Sequence, residues 1–246
     1  MNTEFVPDSD LLISWGFENF MPSVAVELRT SRPLSVRQDT SRGALHRIAA
    51  AFFLEGFDIA STGTVATFDL PRWANYWMHH EPIPVYERHV TAPREITDQE
   101  FKNVVDLALA IPEFGADEAT SQSIVMNRLL RGCGTQQNES AFLDFAIALE
   151  AALLGGTRTE LAYRFKLYGS LFLRDNRDPS QTFSDFAKVY RVRSDLVHGT
   201  PVTLEKRVEA TNLAKELALA VVRKSVRDAW PDSDALDALA LGDREH

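Results

Sequence analysis

Phe142-Leu-Asp-Phe-Ala-Ile-Ala-Leu-Glu-Ala-Ala-Leu-Leu154 is the stretch on which the fold turns. Phe142, Phe145, Ala146, Leu149 and Leu153 recur at three- and four-residue spacing, so on a helix they form one apolar stripe. Asn138 is placed to cap that helix and Gly155-Gly156 to end it. Helical punctuation continues on both sides. Thr97-Asp-Gln-Glu100 is a capping box, in which the threonine caps the helix and the glutamate reaches back, and Pro112 stops that helix after Ile111. A further helix is expected over Glu118 to Arg131, ending at Gly132-Cys-Gly134. Another runs from about Arg158 to Leu173, with Leu161, Phe165, Tyr168 and Phe172 on one face. Asp178-Pro-Ser starts the next, where Thr182 and Asp185 form an imperfect capping box. Thr203 caps a long last helix to about Asp228, whose stripe is Leu213, Leu217, Ala220 and Val221. Asp232 to Leu241 reads either as a short helix or as a frayed tail.

Before Arg94 the pattern changes. Val24, Val26 and Leu28 alternate with polar neighbours, the period of a half-buried strand. Leu12 to Trp15 and Val65 to Leu70 are further strand candidates, and Ile48 to Phe53 is ambiguous between a buried strand and a helix. The prolines of Glu81-Pro-Ile-Pro-Val-Tyr86 keep that segment extended, and a boundary is expected near Ala92-Pro93-Arg94. The expected fold is therefore α+β overall. A smaller, mixed α/β, strand-containing region at 1–95, of unknown role, precedes an all-α helical bundle at 96–246.

Composition narrows the function. The chain has 246 residues with a net charge of −9, which argues against broad, non-specific nucleic-acid binding by counterion displacement. The charge is uneven, however: residues 120–200 carry 10 Lys/Arg against 8 Asp/Glu. A locally basic site could still grip one or two phosphates. Cys133 is the only cysteine, so neither a disulfide framework nor a cysteine-based metal cluster is expected. Met1 to Asp8 has neither the basic nor the apolar region of a signal peptide, and the longest apolar run, Ile48 to Leu54, is too short to span a bilayer. No membrane association and a cytoplasmic location are the expectation.

The chemistry concentrates in Tyr190-Arg-Val-Arg-Ser-Asp-Leu-Val-His-Gly199. An arginine stabilises charge developing on a phosphate and a histidine moves a proton, so Arg193 and His198 suffice in principle for RNA cleavage without a metal. The spacing alone is weak, with about half a match expected by chance. Phe183, Phe186, Tyr190 and Val197 trace the expected buried stripe of this helix. Arg193 falls about 20° from Phe186 and about 40° from Val197, inside the stripe, where a guanidinium needs an acid, a phosphate or a polar interface. His198 lies about 140° further round, at a helix end that suits a proton-carrying ring. Gly199 can take the left-handed conformation that ends helices.

Arg193-Ser194-Asp195-Leu196-Val197-His198-Gly199 resembles the Arg-x(4–6)-His hallmark of the HEPN superfamily, in the Apea-like branch. The Ile-Ala-Leu-Glu core within 142–154 is similar to that branch's second recurrent segment, and the resemblance covers about residues 97–228. It implies a four-helix core and a homodimer in which two Arg–His pairs share one cleft. It also implies a metal-independent endoribonuclease that yields a 2′,3′-cyclic phosphate and a 5′-hydroxyl. Arg193 and His198 would be catalytic, with Ser194, Asp195 and Tyr190 in support. No cofactor and no metal are expected. RNA would be the substrate, and an antitoxin or trigger protein a partner, in a bacterial defence or stress effector related to phage defence and toxin–antitoxin systems. The tyrosine that follows histidine in members modified by nucleotidyltransferase antitoxins is absent, since Gly199-Thr200 stands there.

Blander readings remain open. Arg193 could pair structurally with Glu150 or Asp144, leaving His198 a simple cap. Arg191-x6-His198 also fits the loose spacing. The domain could be a non-catalytic RNA-binding or dimeric scaffolding module. His79, His80, Glu81 and His89 could suggest a metal site, although a loop or aromatic cluster fits that neighbourhood better. Trp73 and Trp77 could stack bases, although packing is the commoner use of such a pair.

Overall fold

A computed structural model describes residues 11–15, 24–28, 38–57, 64–65, 80–81, 96–112, 114, 120–134, 139–155 and 159–242. Among them are eight helices: α1 (Gln38–Leu54), α2 (Asp98–Ala110), α3 (Ser121–Gly134), α4 (Glu139–Leu154), α5 (Leu161–Phe172), α6 (Pro179–Val197), α7 (Leu204–Arg227) and α8 (Ser233–Leu241). Their ends follow the local chemistry. The Thr97 capping box closes reciprocally with Glu100, Asp178 caps α6 with Pro179 at its first turn, Thr203 caps α7, and Asp232 caps α8.

The α+β expectation is corrected: the fold is a helical bundle. Where a strand-containing region was expected, the backbone forms two separate two-stranded antiparallel ladders. They are β1 (Leu11–Trp15) with β2 (Val24–Leu28), and β3 (Thr64–Val65) with β4 (His80–Glu81). An α+β fold needs a sheet broad enough to be a layer of the core. Two-stranded pairs are too small for that, and the described core is drawn from helices and the residues flanking them. The rest of the Val65 to Leu70 candidate, Trp73 and Trp77 lie outside the described residues. So do Asn138 and the side chains of His79, His80, Glu81 and His89.

Helix α4 is the axis. It is apolar nearly all round and buries Phe142, Phe145, Ala146, Leu149 and Leu153 together with Ala141, Ala148, Ala152 and Leu154. Accordingly it packs against α3, α5, α6 and α7, as a helix without a polar face must. Ile48 to Phe53 resolves as part of α1, which packs on α2, α3 and α7 and places Phe53 and Leu54 in the same core as Phe142 and Leu217. As expected, α3 ends at Gly132-Cys-Gly134, and these residues form its last, buried turn. A side chain on Gly132 would put its Cβ 2.7 Å from the Phe145 ring, so close helix approach is the reason for glycine there.

Candidate functional site

The site is the C-terminal end of α6. Its buried face is Thr182, Asp185, Phe186 and Val189, with Tyr190 partly buried against the core and its ring 5.9 Å from that of Phe165. Two polar residues thus lie on the buried face, each satisfied locally. The Thr182 hydroxyl donates to the Asp178 carbonyl at 2.7 Å. Asp185 accepts from Gln181 at 2.8 Å and pairs with Lys188 at 3.3 Å and Arg177 at 3.7 Å. Val197, expected in the stripe, is instead 55% exposed, whereas its neighbour Leu196 packs against the core.

The helix closes on a Schellman motif, which ties off its last carbonyls. The His198 N–H donates to the Ser194 carbonyl at 3.0 Å, Gly199 to Leu196 at 3.1 Å and Thr200 to Asp195 at 2.8 Å. Gly199 takes φ +72°, the left-handed value its position predicts. Only four residues, from Gly199 to Val202, separate His198 from the Thr203 cap of α7. The imidazole therefore sits exposed on a short connector held at both ends. Among the described residues it has no hydrogen-bond or ion-pair partner. Ser194 and Asp195 are half-buried beside it.

Arg193 answers the burial problem posed by its stripe position. Its Nε lies 3.1 Å from Glu150 Oε1, with the two side chains 32% and 22% exposed. Nη2 donates to Oε2 at 3.3 Å. Burial pushes the Glu150 carboxyl above its ordinary value, and the Arg193 charge and hydrogen bond pull part of the way back. Asp144 is committed elsewhere, to Arg128 at 3.1 Å and Arg131 at 3.5 Å on α3. Arg191 is exposed and has no acidic partner among the described residues. It is about 20° from His198 on the helical wheel, whereas Arg193 is about 140° away. One α6 end therefore does not converge Arg193 and His198 by itself. Glu150 is the site residue that motif spacing does not flag; its signal is its place in the Ile147-Ala-Leu-Glu150 run, as one of three acidic residues on a mostly apolar helix.

Exposed apolar side chains border this end: Val197, and Leu204 at 68% exposure at the start of α7. Among the described residues no group of three His, Cys, Asp or Glu side chains could hold a metal ion. No described helix is long and apolar enough to cross a membrane. Cys133 is buried at the α3–α4 seam. No protein-family model, curated protein or solved structure matches this chain.

Proposed function

We propose that this protein is a metal-independent endoribonuclease of HEPN type that works as a homodimer, with the ends of two α6 helices meeting across a two-fold axis. The observation that carries the reading is the end of α6, where an exposed histidine, a partly exposed arginine and exposed Val197 lie within one helical turn and a half. A symmetry mate would cover Val197 and bring a second histidine opposite the divergent Arg193, supplying the convergence that a single helix lacks. In the reaction, one His198 takes the proton from a ribose 2′-hydroxyl as its oxygen bonds to phosphorus. The P–O5′ bond breaks, and the partner histidine protonates the departing oxygen. Arg193 holds the non-bridging oxygens. The resemblance of 193–199 to the Apea-like motif supports RNA as the substrate and a defence or stress role.

The test is cleavage of an end-labelled single-stranded RNA pool in EDTA by wild type and His198→Ala, with end-group analysis. Cutting by wild type alone, leaving cyclic phosphates, is expected. A confirmed dimer that cuts nothing would sink the nuclease reading. The Arg193–Glu150 ion pair favours a second reading, a non-catalytic RNA-binding or scaffolding module in which Arg193 only ties α6 to α4. That reading predicts no cleavage, and a loss of stability alone on Arg193→Ala.

A further inference from the structure

We propose that Glu150 is the positioning residue of this site: it grips Arg193 from the side and so aims the guanidinium's outer edge at a phosphate group of RNA. The inference rests on the nuclease reading and goes beyond it by assigning a residue on another helix.

A guanidinium has two edges that can meet an oxyanion in parallel, one formed by Nε and Nη2, the other by Nη1 and Nη2. Glu150 occupies the first, with Oε1 at 3.1 Å from Nε and Oε2 at 3.3 Å from Nη2. That leaves Nη1 and the second N–H of Nη2, and no described residue accepts from Nη1. The free edge matches the bidentate geometry by which arginine holds phosphate oxygens. The grip is also rigid. Glu150 projects from α4, the most enclosed helix of the bundle, between buried Leu149 and Leu153. Arg193 projects from α6 four residues after buried Val189. A long, flexible side chain is thereby held in one orientation before substrate arrives, which is what pre-organisation of a phosphate clamp requires.

The test is steady-state cleavage of an RNA oligonucleotide by wild type, Glu150→Gln and Glu150→Asp, with folding of each checked by thermal melting. Glutamine offers one acceptor oxygen in place of two and removes the negative charge; aspartate keeps the charge but withdraws it by one methylene. Both should lower kcat by about 10- to 100-fold, the range expected when a positioning group is lost. KM should not rise in Glu150→Gln, because the freed cation still attracts phosphate. If Glu150→Gln fails to fold, Glu150→Asp alone decides. Active wild type with unchanged kcat in a folded variant overturns the clamp while the nuclease stands. Wild type that neither cuts nor binds RNA overturns both.

Discussion

Two glycines set how closely the helices of this bundle approach. A Cβ on Gly132 would press on the Phe145 ring, and one on Gly169 would press still harder on Phe186. Glycine to alanine inside a helix ordinarily gains about 1 kcal/mol. Overpacking a core costs about 1–3 kcal/mol, so the clash should win. Gly169→Ala is expected to lower the urea midpoint, in a two-state unfolding experiment, with an unchanged slope. Glu150 makes a prediction in pH. Its carboxyl is raised by burial, so the folded state holds its proton more tightly than the unfolded chain does. Stability contributed through this group is fully present below the ordinary carboxylate range and falls as pH rises through the folded value. Urea midpoints of wild type and Glu150→Gln, compared across pH, should show that fall in wild type only. Periodicity put Arg193 inside a buried stripe, where its side chain is in fact 32% exposed and paired with Glu150, and it missed two polar members of the buried face. Thr182 and Asp185 are hidden in spite of their polarity because local partners satisfy them, and apolar patterning cannot register that.

The last helix, α8, is held by few groups. Leu236 is buried under it. The Tyr168 hydroxyl donates to Asp237 at 2.6 Å, and Arg164, itself hydrogen-bonded to Tyr168, meets Asp237 at 2.8 Å. The tyrosine hydrogen bond first, and then the arginine, hold the Asp237 carboxyl below its ordinary value. Its contribution is thus present above the ordinary carboxylate range and lost as pH falls through the lower, folded value. Asp237→Asn should lower Tm at neutral pH, and its difference from wild type should close in acid. Amide exchange in α8 should be the first to accelerate. Elements of this kind were legible where side chains cap them: Thr97, Asp178 and Thr203 each announce a helix start. Glycine also marked ends: α3 stops at Gly134, α4 just before Gly155, and Gly199 closes α6. The short apolar run at Ile48 to Phe53 carried no period long enough to separate strand from helix.

At the level of the molecule, α1 belongs to the same core as the helices that follow residue 96. Phe53 is 2% exposed, and Phe53→Ala should cost about 3–5 kcal/mol of global stability by chemical unfolding. A loss confined to a separate, weaker transition would show instead that α1 folds apart from the bundle. The strand signal in the first hundred residues misled at this scale because alternation reports a local backbone. Whether paired strands become a layer depends on how many join. The bundle itself was legible, since successive apolar stripes at helical spacing, several with a capping residue at the start, call for helices packed on one another. How the molecule presents its histidine comes down to handedness. Position 199 has φ +72° and open space around a would-be Cβ, so nothing but chirality excludes a side chain there. L-alanine should cost about 1–2 kcal/mol for the left-handed backbone. D-alanine, its mirror image, should fit without strain and stiffen the unfolded chain, leaving the histidine where it is.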